Sequence, residues 1–380
     1  MSSIIRKVLL LALAAGYLFF DPAPRNSGDE VFLYRYVNAV APTHFPLNQG
    51  PYGSCVAFGH AAGCDTLLAE DKLNFRATKW LASSPDSIYG GSRNEAYGRM
   101  SRSNAQGSNG YGATRWLTVR GGVLYRQPYQ VTWSSGVRET IDLTSYSIPR
   151  TADWGYYGNG GERDGINGPL DRMAQKTPVK GASLVRTLEE LDVALKNGRP
   201  VTVCSSQGFT KTRDRDGFCS AQGSWSHCMC ILGKRNEGRK GYLILNSWGN
   251  YVSGPKYKDQ PDGSFYAEPA VVARMLRAND SYALSCQTGF PRVWLPNWIT
   301  DPDADVREQR VSIGDDGLWQ FLEDDGRVLK FYNGQWLDAS LVPVHKRSQP
   351  TQARPTRWKC EGGVCTPVAV TEVELYATAA

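Results

Sequence analysis

Histidine is scarce in this sequence, which has only four among 380 residues. A reaction that needs an imidazole base therefore has few side chains to draw on. Charge of one sign is also modest, because 43 basic residues against 37 acidic ones give a net charge of +6. The chain shows no basic stripe with interleaved aromatic residues, so we expect no nucleic acid partner.

The apolar run at residues 8–20 is too short for an ordinary membrane span. As a helix its 13 residues reach about 20 Å, whereas the bilayer core is about 30 Å thick. Arg6 and Lys7 precede it, and no small-x-small cleavage site follows. We expect an uncleaved membrane anchor or export signal, with the remaining chain on the extracytoplasmic side. A buried N-terminal helix of the fold is the alternative.

Four segments of different character follow one another along the chain. Residues 1–29 hold the apolar run and a linker, and residues 30–298 have the mixed pattern of a globular domain. Residues 299–344 are acidic, with turn signals that predict small β-hairpins. Residues 345–380 form a basic tail, which we expect to be flexible.

Helical patterns come first in the domain, and strand patterns come later. This order predicts an α+β architecture and argues against a doubly wound sheet. The predicted helices cover residues 55–69, 112–120 and 188–197. The predicted strands cover residues 201–204, 225–232, 242–245 and 264–267.

The nine cysteines leave their redox state open. In an exported chain an odd number leaves at least one thiol unpaired, but a chain without disulfides fits equally well. Cys360 and Cys365 bracket four residues and predict a small disulfide-closed loop. Cys228 and Cys230 would face away from His227 on a strand. We therefore expect no metal site and no cofactor.

Cys55 is the candidate nucleophile. It follows a run of turn residues and begins an alanine-rich apolar stretch, which predicts a position at the N-terminus of a helix. The free backbone N–H groups and the helix dipole favour a thiolate there. The backbone N–H of Cys55 can also donate to a developing oxyanion, and the side chain of Gln49 can supply a second donor.

His227 is the candidate base, reached by elimination. His60 lies five residues after Cys55, about 140° round the same helix at ~100° per residue. His345 lies in the basic tail and His44 in a loop. His227 lies in a strand-like segment, which leaves it as the base that a cysteine nucleophile requires.

Asn246 is predicted to orient His227. The strands at 225–232 and 242–246 flank a polar loop, and a symmetric hairpin would be centred between residues 236 and 237. His227 would then lie directly opposite Asn246, with Cβ atoms about 5 Å apart. The Asn246 amide oxygen would fix the imidazole tautomer, and Trp248 would cover that hydrogen bond.

Three short blocks carry a resemblance to a known family. They are QGPYGSCVAF at residues 49–58, the histidine in its strand, and NSWG at residues 246–249. SPDSIY at residues 84–89 and GSNG at residues 107–110 are also similar to family segments. In this order the blocks resemble the papain-like cysteine peptidase family, over about residues 31–297.

The resemblance implies a two-lobed fold, with the nucleophile helix in a helical lobe and the histidine and asparagine in a β-rich lobe. Cys55 would be the nucleophile, His227 the general acid and base, and Asn246 the orienting residue. Gln49 and the Cys55 N–H would form the oxyanion hole. The implied substrate-binding residues are Asn109, Gly110, Ser226 and Trp248.

The activity implied is that of a cysteine endopeptidase acting on a peptide or protein through a thioester. A papain-fold structural or binding protein with little turnover and a transamidase with the same triad are the alternatives. Tyr52 and Ser108 stand where the family usually has a disulfide, and Val56 where it usually has an aromatic residue. A long inhibitory propeptide does not fit before Gln49, so we expect control by the C-terminal extension, through an unidentified partner, or by the membrane.

Overall fold

The computed structural model describes residues 30–74, 77, 79–95, 106–162 and 167–285, together with six strands between residues 311 and 368. The predicted membrane anchor at residues 8–20 lies outside the described residues. Within them, no helix has the length and apolar character needed to cross a bilayer.

The helices of the described residues are mostly short, and six of the eight lie before β4 in the chain. They are α1 (Tyr34–Val40), α2 (Cys55–Leu73), α3 (Pro85–Gly90), α4 (Gly110–Arg115), α5 (Ile148–Tyr157), α6 (Pro169–Ala174), α7 (Leu188–Lys196) and α8 (Pro269–Leu276). Two π-helical turns, Gly91–Glu95 and Trp116–Arg120, follow α3 and α4 directly. A 3₁₀ turn covers Gly249–Tyr251.

Most strands of residues 30–285 lie in one antiparallel sheet. The strands of residues 30–285 are β1 (Val31–Phe32), β2 (Pro128–Thr132), β3 (Arg138–Asp142), β4 (Ala182–Leu184), β5 (Val201–Phe209), β6 (Ala221–Arg235), β7 (Gly241–Leu245), β8 (Ser264–Ala267) and β9 (Ser281–Leu284), and seven of these nine form the sheet. The sheet order is β4-β9-β5-β6-β7-β8, with β1 paired to β6, while β2 and β3 form a separate hairpin. This arrangement of helices and sheet confirms the predicted α+β class.

The long helix α2 lies between two hydrophobic clusters. Phe58 packs in the cluster formed largely by the sheet, whereas Val56 packs in the cluster formed with the other helices. Its glycines let the sheet approach closely: a Cβ on Gly59 would lie 3.1 Å from the carbonyl oxygen of Met229 on β6. The N-terminus of α2 is therefore held directly against the strand that carries the predicted base.

The segment beyond residue 310 contains two further antiparallel units. Strands β10 (Val311–Ile313), β11 (Trp319–Leu322), β12 (Val328–Tyr332) and β13 (Gln335–Leu337) pair in chain order. Strands β14 (Arg357–Glu361) and β15 (Val364–Val368) form a hairpin in which Cys360 pairs with Cys365. The structure does not describe the side chains of these strands, so the disulfide between these two residues stays a prediction.

Candidate active site

Cys55 is the first residue of α2, after Ser54 at the N-cap. It is only partly exposed and is not in a disulfide. Burial raises the pKa of its thiol, while the backbone N–H groups of Cys228, Val56 and Cys55 itself act in the opposite direction. The N–H groups at the helix start therefore reach the sulfur as the sequence predicts, but they do not outweigh the loss of water around it.

His227 donates a hydrogen bond from Nε2 to Oδ1 of Asn246, at 2.8 Å. The same oxygen accepts the backbone N–H of Ser247 at 2.7 Å, which fixes the orientation of the amide. With Nε2 carrying the proton, Nδ1 remains free as a base. Burial lowers the pKa of His227 to about 4, although the Asn246 hydrogen bond raises it.

The register that brings His227 and Asn246 together differs from the symmetric hairpin predicted above. Arg235 pairs with Gly241, so the turn is centred on Gly238, whose positive φ of 65° favours glycine. A bulge between Ile231 and Gly233 then shifts the pairing by one residue. If the pairing after the bulge continues, the residue directly opposite His227 lies two positions after Asn246. His227 and Asn246 are then diagonal neighbours, which are still within reach of each other.

The bulge decides which face of the sheet His227 occupies. Successive side chains of a strand point to opposite faces, so a shift of one residue reverses the face. If the pairing next to the turn continued along the strands without the bulge, His227 and Asn246 would lie on opposite faces of the sheet. The extra residue in β6 puts them on the same face, and a hydrogen bond becomes possible.

Two tryptophan rings contact the histidine, and a tyrosine packs behind them. The Trp248 ring lies 4.2 Å from the His227 ring, centroid to centroid, at an interplanar angle of 33°. Trp225 and Tyr251 pack on Trp248 at 4.9 and 5.0 Å. Trp248 packs on the imidazole, next to the hydrogen bond that it was predicted to cover, whereas the contacts of Trp225 and Tyr251 are not predicted from the sequence. The alternation of a strand, with Trp225 two residues before His227, is the signal that points to Trp225.

The side chain of Gln49 is held at both ends. Its Oε1 accepts a hydrogen bond from Oγ of Ser247 at 2.6 Å, and its Nε2 donates to the carbonyl of Tyr52 at 2.8 Å. The backbone N–H of Gln49 donates to the carbonyl of Ser247 at 2.8 Å. Ser247, the residue after Asn246, therefore links Gln49 to Asn246, because its hydroxyl contacts Gln49 and its N–H contacts Asn246; sequence reasoning missed this role. One Nε2 hydrogen is engaged with Tyr52, and the second has no acceptor among the described residues.

Backbone contacts join the turn before Cys55 to the segment after β7. Asn48 and Trp248 form an antiparallel bridge, and the N–H of Gly249 donates to the carbonyl of Leu47 at 2.7 Å. The backbone N–H of Cys228, the neighbour of His227, interacts with the sulfur of Cys55. The start of α2, the middle of β6 and the segment that follows β7 thus converge on one place.

The predicted substrate-binding residues Asn109 and Gly110 are engaged in local structure. Asn109 caps α4 by accepting the N–H of Gly112 at 2.8 Å, and the N–H of Gly110 donates to Oδ2 of Asp280 at 2.8 Å. Ser226 is exposed on β6 beside His227. A role of these residues in substrate binding stays a prediction.

Cys228 forms a disulfide with Cys204, its partner across β5 and β6. The sequence left the pairing open, because cysteine counts and spacing do not determine connectivity. In the described residues the cysteines outside this bond are Cys55, Cys64, Cys219 and Cys230. Cys204 and Cys228 are both buried, so the disulfide braces the strand that carries His227 from inside the protein.

No protein family model matches this sequence. No curated protein matches it significantly either. Among solved structures, the chain is similar to xylellain from Xylella fastidiosa, with 18% identity and a TM-score of 0.42, over 68% of this chain and 86% of that chain. It is also similar to bromelain from Ananas comosus, with 15% identity and a TM-score of 0.39, over 68% of this chain and 99% of that chain.

A third similar structure is the ragweed pollen allergen Amb a 11 in its proform, with 20% identity and a TM-score of 0.39, over 70% of this chain and 68% of that chain. All three are cysteine proteases. This is the class that the sequence motifs predict. The likeness is one of fold alone, and it assigns no role to an individual residue of this chain.

Proposed function

We propose that this protein is a cysteine endopeptidase that hydrolyses peptide bonds with Cys55, His227 and Asn246. The observation that carries the proposal is the 2.8 Å hydrogen bond from His227 Nε2 to Asn246 Oδ1. This bond fixes the tautomer in which Nδ1 is a base. The next residue of the same strand, Cys228, contacts the sulfur of Cys55 through its backbone N–H. A nucleophile, a base and an orienting amide are the set that thiol acyl transfer requires.

The reaction starts with the neutral thiol and imidazole. His227 Nδ1 takes the proton of Cys55 as the sulfur attacks the carbonyl carbon of the scissile amide. The negative charge that develops on the carbonyl oxygen receives hydrogen bonds from the Cys55 N–H and from Nε2 of Gln49. His227 then protonates the leaving nitrogen, the C–N bond breaks, and a thioester remains. Water, deprotonated by His227, hydrolyses the thioester and restores the thiol.

The proposal is tested with a quenched peptide library and a vinyl-sulfone or epoxide peptide label. We expect the wild-type protein to hydrolyse peptides and to be labelled at Cys55, and the Cys55→Ala variant to do neither. Cys64→Ala is the matched control, because Cys64 is a buried cysteine of the same helix and should leave both readouts unchanged. Labelling without turnover would instead indicate a binding protein.

Acyl transfer to an amine is distinguished by its product. With an added amine nucleophile, a peptidase releases mainly the carboxylic acid, whereas a transamidase releases mainly the new amide. Mass spectrometry of the acyl product separates the two. Predominant amide at millimolar amine would overturn hydrolysis as the main reaction.

We further propose that the peptidase domain is extracytoplasmic, exported or held at a membrane by the apolar run at residues 8–20. The Cys204–Cys228 disulfide supports this location, because disulfides persist mainly in oxidising compartments. Resistance of the domain to protease added outside intact cells would contradict it. Deletion of residues 300–380 tests whether the extension restrains the enzyme or binds a partner, with the rate and range of peptide cleavage as the readout.

A further inference from the structure

The peptide group between Tyr52 and Gly53 is bound at both ends by glutamine side chains. Its carbonyl oxygen accepts the Nε2 hydrogen of Gln49 at 2.8 Å, and also the N–H of Ser54 at 2.8 Å. Its N–H donates to Oε1 of Gln106 at 2.6 Å. A trans peptide group is planar, with its N–H and C=O pointing in opposite directions. Gln49 and Gln106 therefore hold opposite ends of one plane.

The orientation of this plane determines where the Gln49 amide lies. Oε1 of Gln49 is fixed by Ser247, so the carbonyl of Tyr52 is the second point that sets the amide plane. Rotation of the peptide group would remove the acceptor of one Nε2 hydrogen of Gln49. The second Nε2 hydrogen would then turn away from the position where it can donate to an oxyanion. An oxyanion hole works because its donors are oriented before the charge appears.

Gln106 is well placed to hold this peptide group. A Cβ on Gly53 would lie 2.9 Å from the Cβ of Gln106, so the absence of a side chain permits the close approach. The next residue, Gly107, donates its N–H to the Tyr89 hydroxyl at 3.0 Å and accepts from Nη1 of Arg93 at 2.7 Å. The backbone beside Gln106 is thus anchored to buried side chains, while Gln106 itself is exposed.

We propose that Gln106 is a positioning residue for the oxyanion hole, acting on Gln49 through the Tyr52–Gly53 peptide group. The inference rests on the proposed peptidase function. In this role Gln106 acts through the peptide group and not on the substrate itself. It holds the peptide plane on which the Gln49 amide depends, and its contribution appears only when the carbonyl oxygen of the substrate becomes charged.

The first test is steady-state kinetics of Gln106→Ala. We expect kcat to fall about tenfold with KM unchanged, less than the roughly 10²–10³-fold loss typical of a direct oxyanion donor. Gln106→Glu keeps an acceptor oxygen and should restore most of the rate. Gln130→Ala is the matched control, because Gln130 is also exposed and also makes a side-chain hydrogen bond, at 2.8 Å to Thr140. Its kcat should equal that of the wild type.

The second test separates positioning from damage to the nucleophile turn. In a Gln49→Ala background, Gln106→Ala should change kcat less than twofold, because the residue through which it acts is gone. Alkylation of Cys55 by iodoacetamide develops no oxyanion, so Gln106→Ala should leave its rate, read by mass spectrometry, unchanged.

Three results would overturn the inference alone, given an active wild type: a wild-type kcat in Gln106→Ala, a tenfold loss that persists in the Gln49→Ala background, or an equal loss in the alkylation rate. A wild-type protein that hydrolyses no peptide would refute the proposed function, and the inference with it.

Discussion

Acid should destabilise this protein through two buried histidines. His60 is fully buried and His227 is 5% exposed, and burial lowers the pKa of each from 6.5 to about 4. Above pH 6.5 both are neutral in the folded and unfolded chain and have no effect on stability. Below pH 6.5 the unfolded chain binds a proton that the folded chain resists until about pH 4. The free energy of unfolding therefore falls as the pH decreases through this window.

The magnitude follows from the two pKa values. The difference of about 2.5 between them, at about 1.4 kcal/mol per pKa unit, is worth about 3 kcal/mol for each histidine. His60 offers the cleaner measurement, because it lies outside the proposed active site. It contacts the carbonyl of Val56 through Nδ1 at 2.8 Å and the hydroxyl of Thr114 through Nε2 at 3.2 Å. These partners and the Thr202 hydroxyl, 3.4 Å from Nε2, are uncharged, so burial is the main cause of the lowered pKa.

The assay compares the wild type with His60→Gln, which can hydrogen-bond but does not titrate. Urea unfolding between pH 7 and 4 gives the free energy of unfolding of each protein. Other titrating groups act on both proteins alike, so they cancel in the difference between the two curves. We expect the wild type to lose about 3 kcal/mol relative to His60→Gln between pH 6.5 and 4. Parallel curves would refute a neutral, buried His60.

Three further predictions concern the surroundings of His227. Asn246→Ala leaves the buried Nε2–H of His227 without its acceptor, so we expect the free energy of unfolding to fall by about 1–3 kcal/mol. The hydrolysis rate should fall as well, and an unchanged rate would contradict the assigned role of Asn246. Trp248→Ala admits water to the imidazole, which should raise the pKa of His227. The acid limb of the pH profile of kcat/KM should then move from near pH 4 towards pH 6.5. An unchanged pH profile would show that Trp248 does not shield His227 from water. Opening the Cys204–Cys228 disulfide with Cys204→Ser should cost about 3 kcal/mol in urea unfolding, because the bond joins residues 24 apart; an unchanged midpoint would contradict this.

The main parts of the proposed catalytic set could be predicted because each has a local signal. Cys55 follows a turn and begins a helix-like stretch, and His227 and Asn246 lie in two strands joined by a short polar loop. Such patterns depend on residues that are close in sequence. The helix start at Cys55 and the hydrogen bond between His227 and Asn246 are both present in the structure.

The register of the hairpin could not be predicted from symmetry. The turn is centred on Gly238, and the bulge near Leu232 then corrects the face of the strand. A bulge has no distinctive sequence pattern, since it depends on how the strand packs against its neighbours. The symmetric count therefore placed His227 and Asn246 together by an incorrect pairing, although the predicted contact itself is present.

Contacts between distant segments were also beyond the sequence. Gln106 and Gly53 are separated by 53 residues, and neither lies in a periodic pattern that points to the other. The pairing of Cys204 with Cys228 is equally invisible, because nine cysteines allow many connectivities. These contacts follow from the packing of the turn before α2 on the loop before α4, and of β5 on β6.

Burial of both reacting groups makes the oxyanion hole the more important part of the proposed site. Burial raises the pKa of Cys55 and lowers that of His227, so it opposes a thiolate and an imidazolium alike. In the proposed reaction the resting pair is then neutral, and proton transfer would accompany attack on the carbonyl. Charge would develop on the substrate oxygen in the same step, and the Cys55 N–H and Gln49 would donate hydrogen bonds to it. The rate therefore depends on how well Gln49 is oriented before attack, which is the function we assign to Gln106.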